Sequence, residues 1–154
     1  MRRCLLTIAL AISCSSPAAA LDLPARKPGL WEITWIFDDT GRAPQVMQQC
    51  VDAATDELLQ ERFGIGPQSC PKHDVSRSGS TIVVDSSCKG DHMARTNRAV
   101  FEGDFDSAYT VTITTSGASL SMLGAYMRTM TQHARWLGPC TPSQKPGDAE
   151  WVSP

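Results

Sequence analysis

The clearest pattern along the chain is alternation. From Gly29 to Asp38, Trp31, Ile33, Trp35 and Phe37 fall on one side of an extended backbone. Glu32, Thr34 and Asp38 fall on the other, and Ile36 breaks the rule. Period two with aromatic and β-branched residues predicts a half-buried strand. Three large rings on one face make this strand the anchor of a core, since each can remove roughly 150–250 Å² from water. A second strand of the same kind covers 107–115, where Tyr109, Val111 and Ile113 alternate with Thr110, Thr112 and Thr114. Its partner is 96–103, across Asp104-Phe105-Asp106. Residues 72–77 and 81–88 flank Ser78-Gly79-Ser80 and read as a hairpin. Residues 126–137 fit neither period well. Their threonines, and the meander around them, favour a strand.

One segment follows a helical period. Asp52 suits a helix N-cap, Asp56 and Glu57 suit the first turns, and Ala54/Leu58 and Leu59/Phe63 are spaced four apart. Gly64 supplies the stop, so a helix is expected over 53–63. Residues 38–45, 64–71 and 116–125 read as turn or loop. The tail 141–154 has three prolines and no period, and is expected to be mobile. The fold expected is mainly β (α+β): a twisted antiparallel sheet of about six strands, open or curled into a partial barrel. One short helix follows the first strand.

The first twenty residues change where this fold belongs. Met1-Arg2-Arg3 is a short basic start, residues 4–12 are apolar, and Ala18-Ala19-Ala20 offers the small-x-small pattern of a signal peptidase site. The apolar run is too short to span a bilayer, which takes about 20 residues. The expectation is a secretory signal over 1–20, a single domain over 21–140, and a periplasmic or secreted protein. No transmembrane segment remains after cleavage. The competing reading, lipidation at Cys14, rests on Ala11-Ile12-Ser13-Cys14, which lacks the leucine that such a box prefers.

Export gives the cysteines a meaning. Cys50, Cys70, Cys88 and Cys140 survive cleavage, and four cysteines in an exported chain read as two disulfides. Zinc would want pairs two to four residues apart. Three pairings are open. A hairpin centred on Gly79 sets Cys70 opposite Cys88, which leaves Cys50 with Cys140. A slip of one residue would put the first pair out of line.

Composition narrows the function by exclusion. With 14 Lys+Arg against 16 Asp+Glu the net charge is −2, so no nucleic-acid partner is expected. There is no His-Glu-x-x-His, Gly-x-Ser-x-Gly or Gly-rich phosphate loop, and so no catalytic residue, cofactor or metal is assigned. His73, His92 and His133 share no ligand spacing. Met127, Met130 and His133 offer Cu(I)-type donors only if helical, and core filling by methionine explains them better. Arg95, Arg98, Arg128 and Arg135 could line one face for an acidic group, although a scattered solvated set suits the acidic balance better.

Three islands carry a resemblance. They are Lys27-Pro28-Gly29-Leu30-Trp31-Glu32, Cys50-Val51-Asp52-Ala53-Ala54-Thr55-Asp56, and Ala134-Arg135-Trp136-Leu137-Gly138-Pro139-Cys140 with Gln144 to Asp148. Together they resemble the bacterial domain-of-unknown-function family 3617, over most of the chain. The resemblance implies a small exported protein with paired cysteines, and no mechanism. Two functions follow for testing. The first is a non-enzymatic exported module that binds a small apolar ligand, lipid or envelope component on the concave side of its sheet. The alternative is a metal-binding protein or hydrolase with an unrecognised site.

Overall fold

The computed structural model describes residues 24–38, 40–56, 70, 72–90, 93–119 and 124–152. Eight strands form one antiparallel sheet. They are β1 (Gly29–Phe37), β2 (Gln45–Val51), β3 (Lys72–Ser78), β4 (Thr81–Gly90), β5 (Met93–Gly103), β6 (Ala108–Ser119), β7 (Gly124–Gly138) and β8 (Ala149–Val152). Their order is β3-β4-β5-β6-β7-β1-β2-β8, so the sheet is open, with β3 and β8 at its edges. The meander β3 to β7 is local. The β1–β7 pairing joins the first strand to the seventh and gathers the chain into one layer.

The alternation of β1 propagates across this sheet through register. Phe37 lies opposite Met130, then Ile113, Ala99, Val84 and Val75 continue the row on β6, β5, β4 and β3. A parallel row runs Trp35, Gln132, Val111, Phe101, Ile82. These rows form the inner face and one contiguous core. Trp31 is fully buried, and its indole N–H donates to the Lys27 carbonyl at 2.8 Å. The opposite face carries Thr110, Thr112 and Thr114 of β6, Thr129 and Thr131 of β7, and ion pairs between Arg98 and Asp85 and between Arg135 and Glu32.

A buried polar cluster closes one end of the inner face. Arg26 pairs with Asp56 at 2.7 Å, the side chains being only 2% and 4% exposed. Its guanidinium also reaches Gln49 and Tyr109 at 3.3–3.4 Å. Burial raises the Tyr109 phenol above its ordinary value. Phe105 stacks on Tyr109 at 5.1 Å from a left-handed conformation, φ 59°. That backbone costs roughly 1–2 kcal/mol. It is held by Asp104, whose carboxylate accepts the N–H groups of Asp106, Ser107 and Ala108 and the Ser107 hydroxyl. Those bonds hold the Asp104 carboxyl far below the usual range.

Several expectations are corrected. The sheet has eight strands where about six were expected, and the described residues contain no helix. Asp52 does accept the N–H groups of Ala54 and Thr55, as an N-cap would, but Ala53–Thr55 make only a turn. Residues 57–63 of the expected helix lie outside the described residues. The two added strands are β2 and β8. The alternation of β2 is disguised by Gln49, which sits on the inner face opposite Trp31 and gains Arg26 as a donor. Residues 149–152, read as part of a tail without a period, pair with β2 as β8. Of the loop expected at 116–125, residues 116–119 end β6 and 124–125 start β7, and residues 120–123 lie outside the described residues.

Candidate ligand groove

The cysteines tie strand ends to neighbouring parts of the sheet. One disulfide joins Cys50 to Cys140 and the other Cys70 to Cys88. The expected hairpin register is off by one. Ser78 pairs with Thr81 and Lys72 with Ser87, so the turn is centred between Gly79 and Ser80. Cys70 nevertheless reaches Cys88, because it precedes the first ladder residue and is not bound to the register. The Asn97 amide donates to the Cys88 sulfur at 3.1 Å, and its carbonyl accepts from Thr115 at 2.8 Å. Both cysteines of this pair are buried.

The other residues singled out by sequence do not assemble. Because β7 is a strand, Met130 faces the core while Met127 and His133 face outward. Met127 and His133 are six residues apart on that face, about 20 Å at strand rise. Arg98 and Arg135 lie on the outer face, but Arg95 and Arg128 lie on the inner one by register. Among the described residues no three His, Cys, Asp or Glu side chains are grouped to hold a metal. His92 lies outside the described residues, as does the His73 side chain. The aromatic face expected to receive a ligand is packed with core. Trp31 meets Tyr109 at 5.4 Å, and Trp35 is buried.

An open space lies at the β8 edge of the sheet. The β1–β2 connection (Arg42, Ala43, Pro44), the outward side chains of Glu32 and Val46, and Trp151 and Val152 of β8 enclose a groove of about 710 Å³. That is within the roughly 300–1,000 Å³ of small-molecule sites. Register explains the assembly. Val152 lies opposite Val46 on the outward face and Trp151 opposite Met47 on the inner one, so the two apolar side chains of β8 bracket the open edge of the sheet and the groove follows that edge. Trp151 is 63% exposed, with its ring 6.4 Å from that of buried Trp35. A large exposed apolar side chain beside a concave surface marks a binding surface more often than a scattered one does.

The charges of the groove are unequal. Glu32 accepts from Arg135 at 2.7–2.8 Å and from Gln48 at 3.3 Å. The Arg135 bond holds its carboxyl below the ordinary value, so it stays ionised and paired. The Arg42 guanidinium lies 5.2 Å over the Phe37 ring and has no carboxylate partner among the described residues. Sequence reasoning passed over this site. Its one signal was an apolar Trp-Val pair inside an otherwise polar tail.

A second, polar hollow of about 470 Å³ lies over β3–β6, among Asp74, Asp85, Thr96 and Arg98. It has no apolar wall, and its Arg98 is occupied by Asp85.

Comparison with known proteins gives a family and no function. A family model described as a protein of unknown function (DUF3617) matches residues 26–140. No curated protein and no solved structure matches.

Proposed function

We propose, for a chain that belongs to the DUF3617 family of unknown function, an exported, non-enzymatic binding module of the cell envelope. It is released by cleavage after Ala20 and takes a small apolar ligand in the groove between the β1–β2 connection and β8. The observation that carries this reading is exposed Trp151 on the wall of a 710 Å³ groove at the β8 edge, while the inner face away from that edge is already filled. Two disulfides fit an oxidising compartment and support export. Among the described residues no helix is long and apolar enough to cross a membrane. The groove holds one paired carboxylate and an arginine, with no nucleophile beside a base, so it supports binding over chemistry.

The test is calorimetric titration of the secreted protein with dodecyl maltoside below its micelle-forming concentration. Saturable binding near one equivalent, lost in Trp151→Ala, is the expected result. The reading fails if the wild type takes up no amphiphile, or if Trp151→Ala binds as well.

A further inference from the structure

We infer that the ligand class of this groove is a free single-chain amphiphile with an anionic head, a fatty carboxylate, whose head pairs with Arg42. This rests on the groove reading above and goes further by naming the head group. Two features carry it. The first is an apolar wall of Pro44, Val46, Trp151 and Val152, which suits an alkyl chain and offers little to a polar body. The second is the charge balance of the lining. Glu32 is neutralised by Arg135, which leaves Arg42 as the one lining charge without an opposite partner among the described residues. Its planar fork matches a carboxylate in two parallel hydrogen bonds.

The geometry also favours a free molecule over a bilayer. One arginine in the lining of a groove is not a basic face. Glu150, on β8 opposite Gln48, and the net charge of −4 left once Arg2 and Arg3 leave with residues 1–20 would be repelled by an anionic membrane.

The experiment titrates the secreted protein at neutral pH with dodecanoate, dodecyl maltoside and dodecyltrimethylammonium, each below its micelle-forming concentration. Phosphatidylglycerol vesicles form a fourth arm. Dodecanoate should bind about tenfold or more tightly than the neutral probe, one good charge-assisted contact being worth at least that factor. The ammonium should bind least. In Arg42→Gln the ratio of dodecanoate to maltoside affinity should fall to about one, while Arg42→Lys, which keeps the charge and loses the fork, should leave a ratio between that of Arg42→Gln and the wild type. Arg98→Gln, on the outer face and away from the groove, should leave the ratio unchanged. Equal affinity for dodecanoate and maltoside overturns the head-group inference and leaves the groove reading standing, as does a ratio that survives Arg42→Gln. Vesicle binding stronger than dodecanoate binding overturns the choice of a free ligand. Failure of every probe overturns the groove reading itself.

Discussion

Removing Asp56 should damage this protein far more than its place in a turn suggests. Its carboxylate accepts both the Arg26 backbone N–H and Nε, and both side chains are almost wholly shielded from water. Asp56→Ala leaves the Arg26 guanidinium buried, with only long contacts to Gln49 and Tyr109. An uncompensated buried charge costs about 3–5 kcal/mol, against less than about 1 for an exposed pair. For a domain held by roughly 5–15 kcal/mol this is a large fraction of the total. Urea unfolding with the disulfides intact provides the assay. At a urea slope of about 1–3 kcal/mol/M the midpoint should fall by at least about 1 M with the slope unchanged. The double variant Arg26→Met with Asp56→Leu removes the stranded charge and should recover most of the loss. Recovery stays incomplete because Gln49 and Tyr109 lose a donor. A loss under about 1 kcal/mol for Asp56→Ala would refute the reasoning. So would a double variant no better than the single one, because the damage would then not be electrostatic.

The remaining predictions are briefer. Trp31→Ala should cost about 3–5 kcal/mol, since a fully buried indole leaves a cavity, while Trp151→Ala should stay within about 0.5. In the native protein an aqueous quencher should reach Trp151 and spare Trp31 and Trp35. Opening the Cys50–Cys140 bond, which spans 90 residues, should destabilise by about 4–5 kcal/mol, against about 3 for Cys70–Cys88, which spans 18. Paired Cys→Ala variants measure both, and non-reducing peptide mapping checks the connectivity. Glu32 has a depressed folded value, so its contribution is present above the unfolded glutamate value of about 4.3 and fades as pH falls through the lower folded one. Glu32→Gln should therefore flatten the acid limb of the stability curve, by under about 1 kcal/mol because Arg135 is largely exposed. An unchanged acid limb would remove the pair from the account. Intact mass should place the secreted N-terminus at Leu21, and an acylated Cys14 would replace that reading.

The strands legible in the sequence are those whose alternation is complete within a few residues. Trp31 to Phe37 and Tyr109 to Thr114 needed no knowledge of their partners, because the side-chain period of a strand is a property of the local backbone. The expectation of an export signal and the reading of Cys50, Cys70, Cys88 and Cys140 as two disulfides rest on equally local features. Tertiary structure decided whatever depended on a partner far along the chain. Gln49 could sit on the inner face of β2 because Arg26, 23 residues earlier, supplies its hydrogen-bond donor. Without that partner a buried amide would cost too much, and the pattern of β2 therefore looks broken in sequence. Four residues are too few to show a period, so β8 exists only through its ladder with β2. The hairpin register was set by a two-residue turn, where sequence symmetry suggested three. The groove draws Glu32, Arg42 to Val46, and Trp151 and Val152 from three separate segments. Their meeting is fixed by the β1–β2–β8 pairing, and no local pattern encodes a surface that exists only between strands.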